Sequence, residues 1–326
     1  MANSIGWGII GLGNIAHKFA KDLSLVHDAA LMAVASRSIQ KAIAFKDEFK
    51  VPNAFDSYEA LFKCEEVEVV YIALPHSEHL TWSIMAMEHG KHVLCEKPLG
   101  VNLGQVQQMI NASKKYNVFL MEALWSRFIP AIQNAKELVE EGEIGSIGYM
   151  HADFAFFGLD RDREGRLLNP ALAGGSLLDI GIYPVFLAYL MLGIPDTIEA
   201  SAKYIETGAE MQIAMQFTYP SAHALLFSGL SANSSMEASI SGSDGTIVIH
   251  SRWHEAQGLS VIKNNKTEKI HLPTVGKGYT YEIEEVHHCL DNKQIESHLW
   301  SHRNSLELIG LLDKIRAKAG ITFPFE

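Results

Sequence analysis

The chain has 326 residues, of which 48% are hydrophobic and 20% charged, a composition typical of a globular protein with room for two hydrophobic cores. Its 27 Lys and Arg residues against 38 Asp and Glu give a net charge of −11, so we exclude nucleic acid as a partner, because its phosphates require a basic surface. The three cysteines are odd in number and form no C-x-x-C pair, which argues against a disulfide framework and favours a cytoplasmic location.

We expect neither a targeting segment nor a membrane partner. The chain enters an apolar strand without a basic leader, and its apolar stretch Pro184–Leu192 is too short to span a bilayer. These features predict a soluble, cytoplasmic protein.

A glycine-rich turn precedes the first predicted helix. The apolar strand Ile5–Ile10 is followed at once by G-L-G-N-I-A at residues 11–16 and then by a helix with one apolar face. Gly11 permits the tight turn, and Gly13 lets the backbone approach a pyrophosphate, whose charge the helix N-terminus favours. This strand–turn–helix context predicts a dinucleotide-binding site.

The end of the second predicted strand, Leu31–Ala35, indicates which dinucleotide binds. NAD-preferring folds carry an acidic residue here for the ribose 2′-hydroxyl, whereas this chain has Ser36, Arg37 and Ser38. A guanidinium offers a planar fork of donors to a 2′-phosphate, and the hydroxyl groups add more. We therefore predict NADP as the cofactor, with NAD as the alternative. The competing interpretation of Arg37 is a solvated surface side chain, which the glycine motif upstream makes less attractive.

Two histidines follow the next predicted strand, Val67–Leu74, in the sequence P-H-S-E-H at residues 75–79. Their H-x-x-H spacing raises the question of a metal site, but no third ligand stands near them in the sequence, so we predict none. At the edge of a parallel sheet, such a histidine is better placed to contact the cofactor ribose or the substrate.

Residues 92–99, H-V-L-C-E-K-P-L, contain the clearest catalytic candidate. The apolar run predicts a buried parallel strand, and Glu96, Lys97 and Pro98 then place a charged pair at its carboxyl end. Ligands of open α/β sheets bind at that edge, and the proline restricts the backbone beside Lys97. The competing interpretation is a lysine in an ordinary salt bridge at a strand end.

The alternation of strands and helices predicts the domain organisation. It continues to about residue 124, which predicts an α/β Rossmann domain with a doubly wound parallel sheet over residues 1–124. From Ile144 onward, short predicted strands are separated by turn residues, so we predict an α+β domain with a large open, mostly antiparallel sheet over residues 125–326. Such a sheet exposes a face and edges that self-association would cover, and we expect a homo-oligomer, a dimer or a tetramer.

One segment of the second half, G-G-S-L-L-D-I-G-I-Y at residues 174–183, combines glycines with two polar groups. Asp179 and Tyr183 are four residues apart and would share one face of a helix, in apolar surroundings where both need partners. Lys97 is the partner that we expect. The competing interpretation is a capping aspartate and a core tyrosine with a satisfied hydroxyl group.

Together these motifs resemble the glucose–fructose oxidoreductase / inositol dehydrogenase (Gfo/Idh/MocA) family, over essentially the whole chain. The matching stretches are residues 11–16, 73–79, 90–99 and 174–183. Residues 119–128 and the closing I-T-F-P at 321–324 are most similar to the dimeric dihydrodiol dehydrogenase and NADP-dependent xylose dehydrogenase branch. Tyr183 agrees with that branch, because inositol-dehydrogenase-like members have histidine at this position.

The resemblance implies a reaction and a set of site residues. It implies hydride transfer between nicotinamide and a secondary alcohol or hemiacetal carbon of a sugar, cyclic polyol or trans-dihydrodiol. Tyr183 would exchange the hydroxyl proton, Lys97 would lower the pKa of that tyrosine, and Asp179 would hold Lys97 or a substrate hydroxyl. The residues that we predict to contact the cofactor are Gly11, Gly13, Asn14, Ile15, Ser36, Arg37, Ser38, Leu74, Pro75, His76, His79, Glu96, Lys97, Trp125 and Arg127.

A second hypothesis, from another class of function, is a catalytically idle dinucleotide-binding regulatory protein on the same fold. Lys97, Asp179 and Tyr183 together favour the enzyme, because a sensor needs only the glycines and Arg37. The sequence does not indicate how the groups that would shape a substrate pocket are arranged, namely Phe154, Phe156, residues 158–173 and Tyr279.

Overall fold

The computed structural model describes residues 4–326, which form two compact units. The first unit comprises the residues up to Trp125 together with Val275–Leu306, and the second comprises Ser126–Thr274 together with Glu307–Glu326. The first boundary lies close to the division that the sequence predicts at residues 124 and 125. The difference is that Val275–Leu306, which we expected in the second domain, packs with the first unit.

Hydrogen bonds explain why this later segment belongs to the first unit. The carboxylate of Asp22 accepts hydrogen bonds from the backbone N–H groups of Lys277, at 2.8 Å, and Tyr279, at 2.9 Å. The indole of Trp300 donates to the buried carboxyl of Glu122 at 3.1 Å. Because Asp22, Glu122 and Trp300 are buried, their polar groups need these hydrogen bonds to compensate for the loss of water.

The first unit is built around a six-stranded parallel sheet. Its strands are β1 (Ile5–Ile10), β2 (Ala29–Ala35), β3 (Asn53–Phe55), β4 (Val69–Ile72), β5 (His92–Glu96) and β6 (Leu120–Ala123). Its helices are α1 (Asn14–Leu23), α2 (Ile39–Phe49), α3 (Tyr58–Phe62), α4 (His79–Glu88), α5 (Leu103–Tyr116) and α8 (Thr280–Asp291). The strand order is β3-β2-β1-β4-β5-β6, so the order reverses beside β1, the position where doubly wound sheets bind ligands.

The second unit contains an eight-stranded sheet. Its strands are β7 (Ile147–Ala155), β8 (Thr197–Tyr204), β9 (Glu210–Thr218), β10 (His223–Gly229), β11 (Ala238–Gly242), β12 (Thr246–Ile249), β13 (Gly258–Lys263) and β14 (Lys266–His271). The order is β14-β13-β12-β11-β7-β10-β9-β8, and every neighbouring pair is antiparallel except β7 with β10. The predicted fold class, a Rossmann sheet followed by a large, mostly antiparallel sheet, is confirmed.

Helices cover one face of this second sheet. The helix α6 (Pro130–Glu140) packs on β12 and β13, and α7 (Ile182–Leu192) packs on β7 and β10. The last helix, α9 (His302–Ala319), begins in the first unit and continues in the second. Side chains alternate along β10, where Ala224 and Leu226 are buried while His223 and Leu225 are exposed.

The most apolar helical run is longer than the sequence suggested. Pro170–Leu192 is long and apolar enough to cross a membrane by length and composition, whereas the sequence analysis considered only Pro184–Leu192. However, 89% of its most apolar stretch is buried inside the protein. This is the burial that a core helix has, and α7 owes its uniform apolarity to packing on the second sheet.

Candidate active site

The predicted dinucleotide cradle lies at the carboxyl end of β1. Gly11 has a φ of +84°, and a Cβ there would lie 2.4 Å from the carbonyl oxygen of Ala73, so only glycine fits. A Cβ on Gly13 would meet no atom within 4 Å, which means that the space beside Gly13 is open. Among the described residues, no side chain caps the N-terminus of α1, where Asn14 and Ile15 begin the helix. The cradle therefore fits a phosphate group, which would accept from the N–H groups of that helix end.

Arg37 is the exposed cation at the end of β2. Its side chain is 75% exposed and forms a loose ion pair with Glu78, with 3.6 Å between Nη1 and Oε1. The serines beside it have local roles. The hydroxyl of Ser36 accepts from the N–H of Ser38, and the hydroxyl of Ser38 caps α2 by accepting from the N–H of Lys41. The guanidinium is thus the group of this turn best placed to meet a 2′-phosphate.

The two histidines after β4 lie in two different environments. Leu74, Pro75 and His76 follow the strand, and His76 is 7% exposed. His79 is fully buried, and its ring nitrogens lie 2.9 Å from the carbonyl oxygen of Pro98 and 3.0 Å from that of Leu74. Burial lowers the pKa of His79, so the ring is neutral and donates to one carbonyl at a time. His79 therefore ties two loops together at the sheet edge.

Lys97 stands where the sequence predicts, at the carboxyl end of β5. The side chain is 9% exposed, and the Lys97–Pro98 peptide bond is cis. Glu96 is held on both sides, because its Oε2 accepts from the N–H of Lys97 at 3.2 Å and its Oε1 accepts from the hydroxyl of Tyr71. Glu96 thus holds the backbone N–H of Lys97 in place.

Two further carboxyl groups near this strand end were missed by the sequence analysis. Glu122, at the end of β6, accepts from the N–H of Leu99 at 2.9 Å and from the hydroxyl of Ser305 at 2.7 Å. Burial raises the pKa of Glu122, while these bonds and the charge of Lys97 lower it. Glu282 of α8 is fully buried, and its pKa lies well above the usual range because of burial and then the charges of Glu96 and Asp22. Burial of Glu282 thus favours its protonated form.

The remaining predicted cofactor residues lie in separate units. Trp125 is 5% exposed and stacks on Tyr279, with ring centroids 4.8 Å apart and planes inclined by 24°. Arg127 belongs to the second unit and is 5% exposed. Among the described residues, no group of three or more His, Cys, Asp or Glu side chains is arranged to hold a metal ion.

Asp179 lies in a π-helical turn, which the sequence analysis did not anticipate. Its spacing from Tyr183 predicts one face of an α-helix, but Leu177–Gly181 is a π-helix and α7 begins only at Ile182. Pro184, in the first turn of α7, has no N–H to donate to the carbonyl four residues back, which removes one α-helical bond at this junction.

Asp179 has a partner that was not predicted, Arg166. The guanidinium Nη1 of Arg166 donates to Oδ1 of Asp179 at 2.6 Å. The Arg166 side chain is 58% exposed, whereas that of Asp179 is 10% exposed. A polar segment, residues 158–173, therefore supplies a cation that pairs with this nearly buried carboxylate. The ion pair is compatible with a role for Asp179 in holding a substrate hydroxyl.

Tyr183 lies in an aromatic cluster of the second unit. Its ring is 5.6 Å from that of Phe154 and 5.4 Å from that of His254, and the latter two stack at 4.1 Å. Tyr183 is 6% exposed and His254 is 4% exposed. Phe154 is one of the pocket residues expected from the sequence, whereas His254 was missed, because nothing local to residue 254 marks it as a neighbour of residue 183.

The first unit thus combines three features: the doubly wound strand order, the glycine cradle at the first helix, and a lysine at the carboxyl end of β5. Together they define a dinucleotide-binding protein of the Rossmann class. Comparison with known families agrees. The family described as "Oxidoreductase family, NAD-binding Rossmann fold" matches residues 5–124, and the "GFO/IDH/MocA C-terminal domain" matches residues 132–248. The chain belongs to the Gfo/Idh/MocA family of oxidoreductases, which confirms the predicted family and the prediction of an enzyme.

Curated relatives extend over the whole chain. The trans-1,2-dihydrobenzene-1,2-diol dehydrogenase of Mus musculus is 34% identical over 334 residues, which cover 98% of each protein. The enzyme of the same name from Xenopus tropicalis is 34% identical over 332 residues, covering 98% of this chain and 99% of the relative.

Solved structures give the same result for the fold. A 3-ketoreductase from Actinomadura kijaniata, in complex with NADP and TDP-benzene, has a TM-score of 0.88 at 25% identity, covering 97% of this chain and 98% of the other. An aldose-aldose oxidoreductase from Caulobacter crescentus has a TM-score of 0.89 at 24% identity, covering 98% of both chains, and shows the fold alone.

Proposed function

We propose that the protein is an NADP-dependent oxidoreductase that transfers a hydride between nicotinamide and a secondary alcohol or hemiacetal carbon. The substrate would be a trans-dihydrodiol, a sugar or a cyclic polyol. The observation that carries this proposal is the position of Lys97, nearly buried at the carboxyl end of β5 in the sheet whose first strand presents the glycine cradle. A regulatory protein that only senses a dinucleotide has no need of an ammonium group there.

The residues of the first unit fit NADP. Gly11 and Gly13 with the N-terminus of α1 would hold the pyrophosphate, and Arg37 would contact the 2′-phosphate. Leu74, Pro75, His76, Glu96 and Trp125 are proposed as further contacts with the cofactor, and Arg127 of the second unit as another. The Actinomadura kijaniata ketoreductase binds NADP, which supports the choice. When bound, the nicotinamide ring supplies the hydride acceptor or donor.

Proton transfer is assigned to Tyr183 with the help of Lys97. During alcohol oxidation the phenolate oxygen of Tyr183 would accept the hydroxyl proton of the substrate, and it would return that proton during reduction. The free pKa of tyrosine, about 10, is too high for a base at neutral pH, and a nearby ammonium lowers it by favouring the phenolate. Asp179, held by Arg166, would accept a hydrogen bond from a second substrate hydroxyl. The inference that Lys97 and Tyr183 act as one unit rests on the family resemblance and on this chemistry.

The surroundings of Tyr183 favour a flat or ring-shaped substrate that carries neighbouring hydroxyl groups. Phe154 and His254 offer aromatic faces, while Asp179 and Arg166 offer an acceptor and a donor. The mouse relative is named for its action on a dihydrobenzenediol, a ring with two adjacent hydroxyl groups. We therefore place trans-dihydrodiols and sugar rings before open-chain polyols.

We also propose that two copies associate through the uncovered face of the second sheet. Tyr149 and Leu225 are 40% and 41% exposed on the neighbouring strands β7 and β10. Leu225 lines a depression of this face together with Ala214, Gln216 and Phe227. A broad sheet face of this composition favours self-association, since a second copy would remove the apolar side chains from water.

A cytoplasmic location is part of the same proposal. The three cysteines, Cys64, Cys95 and Cys289, are free and buried. Burial raises the pKa of Cys289 to about 12, so this thiol stays protonated. Buried thiols without disulfides are typical of proteins from a reducing compartment.

The proposal is tested with a substrate panel. Purified protein is incubated with aldoses, inositols or vicinal diols and either NADP⁺ or NAD⁺, and the absorbance of the reduced nicotinamide is followed. We expect turnover in at least one class, faster with NADP⁺, and its loss in Tyr183→Phe. If no compound is oxidised although fluorescence titration shows dinucleotide binding, the regulatory hypothesis replaces the enzyme.

A further inference from the structure

The segment that carries Asp179 and Tyr183 is fastened to the second sheet by a buried glutamate, Glu210. Glu210 is the first residue of β9 and is 2% exposed. Its Oε1 accepts a hydrogen bond of 2.7 Å from the backbone N–H of Leu177, the residue that starts the π-helical turn. An acceptor at this position satisfies a donor that the first helical turn leaves without an internal partner.

Two glycines of the segment leave the space that its contacts with the second sheet require. Gly175 has a φ of +134°, and a Cβ there would lie 2.1 Å from Oε2 of Glu210. A Cβ on Gly181 would lie 2.7 Å from the hydroxyl oxygen of Ser228, and that hydroxyl also bonds to Ser176 at 3.1 Å. The backbone of the segment therefore lies directly against side chains of β9 and β10, with Glu210 as the ionisable one.

We propose that Glu210 is a positioning residue for the active site: its carboxyl group anchors the start of the segment and thereby fixes where Asp179 and Tyr183 stand. Glu210 touches neither of these side chains through the contacts described above, so it acts through the backbone of Leu177. The inference rests on the proposed function for the roles of Asp179 and Tyr183, but the anchoring itself does not depend on them.

The charge state of Glu210 governs the strength of the anchor. Burial raises the pKa of Glu210 to about 7, against the Leu177 N–H and the charge of Arg316, which both favour the carboxylate. The ionisable groups that face Glu210 are Arg316 of α9 and Tyr204 of β8. The pKa of Tyr204 is raised by burial and by the charge of Glu210. Arg316 is itself paired with Glu326 and Asp313, so its charge is shared.

This arrangement makes the anchor dependent on pH. Below neutrality the carboxyl group is neutral, and its oxygen accepts from the N–H of Leu177 without burying a charge. Above neutrality the docked segment buries a carboxylate, and the raised pKa means that this burial costs more than the Leu177 bond and the charge of Arg316 return. Because Gly175 lies against the carboxyl group of Glu210, release of the segment would return the carboxylate to water. We therefore expect the segment to be held more loosely as the pH rises through about 7, the value to which burial raises the pKa of Glu210.

The anchor is tested first without any reference to activity. Glu210→Gln keeps the shape and an amide oxygen that accepts from Leu177, but it cannot ionise. Hydrogen exchange of peptides that contain Leu177 is compared between wild type and variant at pH 5.5 and 8.5, each corrected for the intrinsic exchange rate. The matched control is Glu268→Gln, an exposed glutamate on β14.

We expect protection of the Leu177 amide to be about tenfold lower in wild type than in Glu210→Gln at pH 8.5, and equal at pH 5.5. Glu268→Gln should match wild type at both values. A ratio between wild type and Glu210→Gln that is the same at both pH values overturns the proposal. If Glu210→Gln does not fold, the protection of this peptide in wild type alone, relative to a peptide from β12, must fall as the pH is raised from 5.5 to 8.5.

The link to catalysis is tested by the pH profile of kcat at saturating substrate. Wild type should show a step with an apparent pKa near 7, the pKa of Glu210, in addition to the limb of Tyr183. Glu210→Gln should lose the step near 7 while KM and the Tyr183 limb persist. A step that survives unchanged in Glu210→Gln contradicts the positioning role. An enzyme that is inactive on every substrate but shows the expected exchange pattern contradicts the proposed function and leaves the anchor standing.

Discussion

Two segments carry the proposed catalytic groups, and they are held in different ways. Glu96 and Lys97 end a regular strand whose ladder pairs Cys95 with Ile72 and Glu96 with Ala123. The segment 174–183, by contrast, combines a positive-φ glycine with a π-helical turn, and side chains from β9 and β10 hold it.

The two segments differ in how far along the chain their supporting residues lie. The Glu96 carboxylate bonds to the next residue and to a tyrosine of the adjacent strand, whereas Leu177 depends on Glu210, 33 residues away, and Ser176 on Ser228, 52 residues away. The first segment is therefore fixed once its sheet forms. The second can shift whenever one of its supporting side chains is replaced. The positions of the groups that it carries are therefore easier to change by substitution.

The largest expected effect is on the proton-transfer group itself. Tyr183→Phe keeps the aromatic cluster with Phe154 and His254 and removes only the hydroxyl, so folding and NADPH affinity should persist. We expect kcat to fall by about 10²–10⁴-fold, the usual contribution of general acid–base catalysis. Steady-state kinetics together with cofactor titration check this. A variant that keeps most of its kcat would transfer the proton-transfer role to Lys97 or to His76.

A second prediction contrasts the two glycines of the cradle. Gly11→Ala should cost about 3 kcal/mol of unfolding free energy or more, because its Cβ would meet the backbone of Ala73 at a positive φ. Gly13→Ala is the matched control, since a Cβ there meets nothing within 4 Å and should change stability by less than about 0.5 kcal/mol. Dinucleotide affinity should nevertheless fall in Gly13→Ala. Urea unfolding and titration separate the effects, and equal destabilisation of both variants would refute this account.

A third prediction concerns stability and pH through Glu210. The folded-state pKa of about 7 lies above the 4.5 of a free glutamate, so the folded state retains a proton that the unfolded chain releases between these values. The retained proton stabilises the folded state. Its contribution to the free energy of unfolding is fully present below pH 4.5 and is lost as the pH rises through about 7, at a cost of about 3 kcal/mol.

Glu210→Gln stays neutral throughout. Relative to wild type, its unfolding free energy should therefore rise between pH 5 and 8.5, as measured by urea unfolding at both values. Glu268→Gln should show no such change. A constant difference between wild type and Glu210→Gln would mean that Glu210 does not titrate in this window.

The smallest expected effect concerns the choice of cofactor. Arg37→Asp should weaken NADP by about 10- to 100-fold, as expected for a charge-assisted bond of ~1.5–3 kcal/mol, and NAD far less. Glu78→Gln should act in the opposite direction and tighten NADP by a few-fold, because Glu78 competes for the same guanidinium. Fluorescence titration of both dinucleotides is the measurement. Equal losses for NADP and NAD in Arg37→Asp would rule out the 2′-phosphate contact.

Much of the fold could be predicted from the sequence because local signals agree with the final structure. The apolar runs of the parallel strands place β1 at its observed bounds, Ile5–Ile10, and place β2 and β4 within two residues of theirs. Two other strands carry no such signal. β14 reads K-T-E-K-I-H, a polar edge strand almost entirely exposed, and β3 has only three residues. Neither carries the apolar pattern on which strand prediction depends.

The site was less predictable than the fold because its supports are distant in sequence. The motifs marked Gly11, Lys97 and Tyr183, but nothing near them in the chain indicates Arg166 or Glu210. The π-helical turn at Leu177–Gly181 arises where Pro184 and tertiary contacts remove regular helical bonds, so α-helical spacing described Asp179 and Tyr183 incorrectly. The association of Val275–Leu306 with the first unit likewise rests on long-range bonds, such as those of Asp22.

The central claim is that Lys97 and Tyr183, which belong to the two differently supported segments, act as one catalytic unit. A double-mutant cycle of Lys97→Met and Tyr183→Phe tests it most directly, with kcat and its pH profile measured for all four proteins. We predict that each single variant loses kcat to a similar extent, that Lys97→Met shifts or abolishes the alkaline limb, and that the double variant is hardly worse than either. A double variant whose loss equals the product of the two single losses would contradict the claim.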